Sequence, residues 1–297
     1  SAIIKARLKV LLDPMYGVSK TSLQTILLTL RCDVDVINDR HDTLFGGKLP
    51  SPSAATLGKL SAMVVEEGYD IGLGTDGDAD RLGVIDDKGR FIHPNEIMML
   101  LYYYLVKFKG WKGDVVRNIA TTHLLDAMAK DFGYVCHEVP VGFKHISAKI
   151  DQTNAVLGGE SSGGLTVRGH ISGKDGIFAA SLLIEMIAVT KKCLSVLLKE
   201  IYDKYGYRVM IENSYTFNAE DKSRLNRILY IDRQIPDFSI EIEKISYEDG
   251  LKVYFKNGGW LVARFSGTEP LLRVFAEMPN EKQVADVCNR MKGFLGI

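Results

Sequence analysis

The first half of the chain alternates short apolar runs with stretches whose apolar residues recur every three or four positions. Residues 8–13 (LKVLLD), 34–37 and 69–74 are predicted as strands, the first of them buried. Between them, residues 21–30 carry the helical period, and 53–67 are predicted as a helix opened by a Ser-Pro-Ser cap. The alternation then repeats, with helices at 95–108 and 123–132, strands at 114–120 and 134–139, and a short helix after Gly142. A strand at 155–158 and helices at 175–191 and 195–205 complete this second set. Short strands separated by helices imply βαβ units and largely parallel sheets. Beyond Gly206 the texture changes: 208–217, 239–246, 251–256, 260–265 and 272–277 read as successive strands, with helices near 221–231 and 280–295. A turn such as Asn257-Gly258-Gly259 joins consecutive strands into an antiparallel pair. The expected fold is therefore two consecutive α/β domains with mixed, largely parallel sheets, followed by an α+β domain with an antiparallel sheet. The boundaries fall at 1–90, 91–206 and 207–297, and the first two domains are expected to share one architecture.

Composition narrows the functions open to such a chain. Its 297 residues are 46% hydrophobic and 25% charged, ordinary values for a globular protein with a large core. Lysine plus arginine and aspartate plus glutamate number 37 each, so nothing attracts nucleic acid or an anionic membrane at long range. Local charge must then recognise any anionic ligand. The four cysteines (Cys32, Cys136, Cys193, Cys288) form no C-x-x-C pair and read as reduced thiols. The longest apolar run, 97–106, is too short to span a bilayer, and Ser-Ala-Ile-Ile-Lys is not a signal peptide. A cytoplasmic location is expected.

Three loops carry the candidate chemistry. Thr75-Asp76-Gly77-Asp78-Ala79-Asp80-Arg81 follows a buried strand, where ligands collect in open α/β folds. Alternate side chains of an extended loop point the same way, so Asp76, Asp78 and Asp80 can converge on one hard cation. Magnesium suits a few carboxylates plus a substrate phosphate oxygen. The EF-hand pattern fails, since Arg81 and Asp87 stand where glycine and glutamate are required. A solvated acidic turn, and a phosphatase with an aspartate nucleophile, are the other readings of this loop. Gly158-Gly159-Glu160-Ser161-Ser162-Gly163-Gly164 offers a carboxylate and a hydroxyl that can clasp sugar hydroxyls. Arg264-Phe265-Ser266-Gly267-Thr268-Glu269-Pro270, with Arg273 close behind, suits a phosphate: guanidinium clamp, two hydroxyls and an open backbone N–H. Lys144 reads equally as a surface lysine, and Lys174-Asp175-Gly176 as the opening of a long helix.

In this order, the three loops resemble those of the α-D-phosphohexomutase family (phosphoglucomutases and phosphomannomutases). Leu12-Asp13-Pro14-Met15-Tyr16-Gly17, Phe45-Gly46-Gly47 with Pro50 and Pro52, and Val141-Gly142-Phe143-Lys144 support the likeness. The resemblance runs end to end and covers the second, third and fourth of the family's four domains. It implies a magnesium site at Asp76, Asp78 and Asp80, with Arg81 and Lys144 as catalytic cations. Glu160 and Ser162 would bind sugar, and Arg264, Ser266, Gly267, Thr268 and Arg273 would bind phosphate. The implied reaction interconverts hexose 1-phosphate and hexose 6-phosphate through a glucose or mannose 1,6-bisphosphate, which also serves as activator. The family's first domain carries a phosphorylated serine in a Ser-His context, and no Ser-His pair occurs here. The chain is therefore expected to be truncated, inactive alone, and dependent on a phosphoserine domain as partner; the alternative is a non-catalytic sugar-phosphate-binding module. Gly164 also departs from bacterial members that place a histidine after the sugar motif.

Overall fold

The computed structural model describes residues 2–267 and 269–297, and these form two compact units: 2–118 with 125–204, and 119–124 with 205–297. The first unit holds both expected α/β sheets. A short helix, α1 (Ala2–Ala6), leads into β1 (Lys9–Asp13), α2 (Ser19–Thr29), β2 (Asp33–Val36), α3 (Gly58–Glu67) and β3 (Ile71–Thr75). Two strands not anticipated from the pattern, β4 (Leu82–Ile85) and β5 (Phe91–Ile92), complete a sheet of order β2-β1-β3-β4-β5. β1 pairs in parallel with β2 and β3, whereas β4 returns antiparallel to β3. Burial on both faces accounts for the apolar run: Val10, Leu11 and Leu12 in β1 and all of β3 are inaccessible to solvent.

The second sheet follows α4 (Pro94–Lys107), which starts with a capping box between His93 and Glu96. It comprises β6 (Val115–Asn118), α5 (Leu124–Phe132), β7 (Cys136–Val139), α6 (Phe143–Thr153), β8 (Leu157–Gly159) and β9 (Leu165–Val167). The helices α7 (Gly176–Thr190) and α8 (Leu194–Tyr205) close this part of the chain. The strand order is β7-β6-β8-β9, with β6 parallel to both neighbours and β9 antiparallel to β8. The two sheets thus repeat one topology, and the aspartate loop after β3 and the glycine-rich loop after β8 occupy equivalent hairpins.

The second unit is built on β10 (Val209–Thr216), α9 (Ala219–Asn226), β11 (Ile242–Ser246), β12 (Leu251–Phe255), β13 (Trp260–Phe265), β14 (Leu271–Met278) and α10 (Glu281–Leu295). All pairings in the order β10-β14-β13-β12-β11 are antiparallel. One face packs on α9 and α10 through Leu225, Val253, Ala263, Val274, Val287 and Met291. The other face meets residues 119–124. There the fully buried Lys252 donates to Ile119 O at 2.6 Å and lies 3.0 Å from His123 Nε2. The His123 N–H and the Trp260 indole both donate to Glu277, at 3.0 and 3.2 Å, and burial raises the Glu277 carboxyl above its ordinary range. Both faces of β12 are therefore covered, and all five of its residues are buried, Lys252 included.

Two expectations need correction. The helix expected from residue 53 begins at Gly58, because Ser53 and Thr56 bond to each other in a preceding turn; the actual cap, Leu57, has no side-chain acceptor. The helix near 221–231 is α9 followed by a π-helical turn, Arg227–Ile231. No helix among the described residues is long and apolar enough to cross a membrane.

Candidate active site

Asp76 opens the loop immediately after β3 and is buried; Asp78 is exposed, and Asp80 lies between these extremes. One carboxylate oxygen from each converges, all within 4.8 Å of one another. Ala79 takes a left-handed backbone conformation (φ 62°), and Asp76 accepts the Arg81 N–H at 2.9 Å, which folds the loop into a cup. The three carboxylates are electrostatically expensive as they stand. Burial, opposed in part by the Arg81 N–H and reinforced by Asp80 and Asp78, pushes the Asp76 carboxyl up to about 6. Asp80 Oδ1 is buried with no hydrogen-bond donor among the described residues. A hard divalent cation would relieve both defects, so this oxygen set fits magnesium. The Arg81 guanidinium turns back on the same cup, 3.3 Å from Asp76 and 3.6 Å from Asp80.

The loop is held from two sides. Val18 N donates to Gly77 O at 3.1 Å, and Gly77 N to Pro50 O at 3.3 Å. Only glycine fits at 17, since a Cβ there would stand 2.6 Å from Gly77 O and 2.8 Å from Gly77 Cα. Gly77 itself faces Phe45 and Pro50. The segments 12–17 and 45–52 thus form the walls of the metal loop.

On the other side, Arg81 makes an isolated antiparallel bridge with Gly164, joining the aspartate loop to the loop after β8. Lys174 lies across this junction: its ammonium pairs with Asp80, and its stem fills the space beside Gly164, where a Cβ would come within 2.2 Å of Lys174 Cδ. The next residues fix it in place. Asp175 caps α7 by accepting the Phe178 N–H at 2.8 Å, and Gly176 N donates to Ala79 O at 3.1 Å. Sequence reasoning assigned this segment to helix opening and missed Lys174. The available signal was a cation placed at a helix N-terminus, where the helix dipole disfavours it.

Glu160 is buried, and its Oε1 accepts from Asn118 Nδ2 at 3.1 Å and from Gly142 N at 2.9 Å. The ends of β6, β7 and β8 therefore meet on one carboxylate. Ser162 is exposed on the same loop, and Lys144 is exposed on the first turn of α6. Among the described residues no hydrogen bond or ion pair joins Lys144 to Asp76, Asp78 or Asp80. A surface groove of about 760 Å³ is lined by α1 and the α7–α8 junction, including Lys5, Ile187, Lys191 and Cys193, and holds no motif residue. Its breadth is no guide to the chemistry.

In the second unit, Arg264 and Arg273 stand directly opposite each other across β13 and β14. Like charges so placed repel, and the neighbours offset only part of this. Arg264 Nε bonds Asp249 at 2.8 Å, Arg273 bonds Glu269 at 2.6 Å, and Arg273 Nε is buried without an acceptor among the described residues. Ser266 Oγ accepts the Glu269 N–H at 3.3 Å, and among the described residues beyond its chain neighbours a Cβ on Gly267 would meet nothing within 4 Å. The set suits a phosphate; Thr268, expected among these residues, lies outside the described ones.

Comparison with known proteins agrees with this arrangement. Three family profiles match in succession: phosphoglucomutase/phosphomannomutase alpha/beta/alpha domain II over residues 1–89, alpha/beta/alpha domain III over 93–205, and the C-terminal domain over 218–293. A phosphoglucomutase/phosphomannomutase of Thermococcus kodakarensis is 30% identical over 285 residues, covering 96% of this chain and 60% of its own length. The phosphoglucosamine mutase of Streptococcus thermophilus is also 30% identical, over 93% of this chain and 58% of its own. The crystal structure of a phosphoglucomutase/phosphomannomutase family protein from Burkholderia thailandensis, 22% identical, superposes with a TM-score of 0.81 over 99% of this chain and 62% of that one. The chain thus spans about three fifths of the length of the relatives it matches. With its sheets, its loops and their order all accounted for, this chain belongs to the phosphoglucomutase/phosphomannomutase family.

Proposed function

We propose that this chain supplies the metal-, sugar- and phosphate-binding parts of a phosphohexomutase, an intramolecular phosphotransferase that interconverts hexose 1-phosphate and hexose 6-phosphate through a 1,6-bisphosphate. The observation that carries the reading is the junction of the aspartate cup with the glycine-rich loop through Arg81, Gly164 and Lys174. Phosphoryl transfer depends chiefly on positioning and neutralisation of charge, and this junction puts two cations beside the metal ligands. Asp76, Asp78 and Asp80 would hold Mg²⁺, which when bound supplies positive charge to a phosphoryl oxygen. Arg81 and Lys174 would neutralise the transferring group. Glu160 and Ser162 would accept and donate hydrogen bonds to sugar hydroxyls in either orientation of the bisphosphate. Arg264, Ser266, Gly267, Thr268 and Arg273 would hold the phosphate that does not react. No Ser-His pair is present to act as phosphate carrier, so the reading requires a phosphoserine domain supplied by other residues. Both glucose/mannose and amino-sugar mutases stand among the relatives, and the hexose preference follows from neither.

The test is complementation. The phosphoserine domain of a relative, mixed with this chain and Mg²⁺, should convert glucose 1-phosphate to glucose 6-phosphate, and Asp76→Asn should abolish conversion. Hexose-phosphate binding without turnover in that mixture would favour the binding-module reading. Hydrolysis of a generic phosphoester by this chain alone would favour the phosphatase.

A further inference from the structure

Glu160 is a buried carboxylate with unequal oxygens. Asn118 Nδ2 at 3.1 Å and Gly142 N at 2.9 Å both donate to Oε1, and among the described residues none donates to Oε2. Register explains the meeting. Arg117 pairs with Gly159 in the β6–β8 ladder, and Asn118 pairs with Val139 in the β6–β7 ladder. Asn118 therefore ends the central strand beside the first residue after β8, at the carboxyl edge of the sheet where ligands bind. Asn118 is 3% exposed and Glu160 is 8% exposed, so neither is free to swing into solvent.

We propose that Asn118 is a positioning residue for sugar recognition: its amide, together with the Gly142 N–H, holds Oε1 of Glu160 so that Oε2 is presented to the vicinal hydroxyls of a hexose phosphate. The proposal rests on the reading of Glu160 as the sugar-binding carboxylate. A carboxylate fixed by two donors need not be ordered when the ligand arrives, which saves side-chain entropy on binding. Loss of one charge-assisted bond should then cost about tenfold in affinity for the sugar. It should cost nothing for a bare phosphate.

The experiment measures glucose 6-phosphate and inorganic phosphate affinity calorimetrically for the 297-residue chain and for Asn118→Ala, Asn118→Asp and Glu160→Ala. Asn118→Ala should bind glucose 6-phosphate about tenfold more weakly while keeping its inorganic phosphate affinity. Asn118→Asp keeps the shape but can donate only when the two carboxyls share a proton, so its affinity relative to wild type should recover as the pH is lowered. A purely structural role would show no such recovery. An unchanged glucose 6-phosphate affinity in Asn118→Ala, with Glu160→Ala impaired, overturns the assignment of Asn118 alone. Equal loss of both ligands in Asn118→Ala overturns it as well, by reporting general damage. Wild-type selectivity in Glu160→Ala removes the sugar-binding reading of Glu160, and the proposal with it.

Discussion

Removing divalent ions over a range of pH probes the aspartate cup directly. Without metal, Asp76 binds a proton near pH 6, whereas in an unfolded chain it would release it near 3.8. Its folded value is raised, so its contribution to stability is fully present below about pH 4 and is lost as the pH rises through about 6. The difference corresponds to at most about 3 kcal/mol at ~1.36 kcal/mol per pH unit. Metal binding has the opposite dependence, because the ligand must be deprotonated first. At about pH 5 only one carboxyl in roughly ten would be ionised, so Mg²⁺ affinity should be about tenfold weaker than at about pH 7.5. Isothermal titration calorimetry in two buffers of different ionisation enthalpy measures both the affinity and the protons released, about one per ion at the lower pH. In Asp76→Asn the released proton should vanish along with most of the affinity. Magnesium affinity equal at the two pH values, or the same proton release in Asp76→Asn, would refute the assignment of the raised carboxyl to the metal site.

Three further outcomes are expected. Gly17→Ala places a Cβ 2.6 Å from Gly77 O, a backbone atom that can move only with the metal loop; it should cost about 1–3 kcal/mol, and calorimetry should show weaker Mg²⁺ binding, with an unchanged affinity counting against the wall role of residue 17. Arg273→Ala should lower inorganic phosphate affinity by about ten- to a hundredfold while relieving repulsion with Arg264, so a small gain in thermal stability together with lost binding is the signature to look for. Lys252→Met leaves Ile119 O without its donor inside the second unit; amide exchange should speed up at residues 119–124 and in β12, by an amount equivalent to about 1–3 kcal/mol.

Much of this architecture was legible because it is written in local chemistry. β1 and β3 are short strands centred on apolar residues, and the carboxylates at 76, 78 and 80 follow the second of them with no intervening helix. The Arg264–Arg273 pair was also accessible, since two strands and a short turn bring such positions opposite one another. What escaped depends on contacts remote in sequence. Lys174 meets Asp80 across almost a hundred residues, and Asn118 reaches Glu160 only because β6 and β8 are neighbours with this register. β4 and β5 are too short for a period to declare itself. Ser53 looked like a helix cap because its residue type is common there, yet its bonds close a separate turn with Thr56.

Residues 119–124 bear on how this chain can be divided. A fragment beginning at 205 would contain every strand and helix of the second unit, yet it would lack six residues that belong to it. Lys252 would lose Ile119 O and His123, Glu277 would lose the His123 N–H, and the ring of Trp260 would lose its histidine neighbour. A cut that looks clean along the sequence therefore opens a buried ionic face in space. Such a fragment should be aggregation-prone, and a synthetic peptide spanning 119–124 should bind it and restore its solubility. In the same way, a sequence inserted between 118 and 125 would disturb a folded surface rather than lengthen a linker.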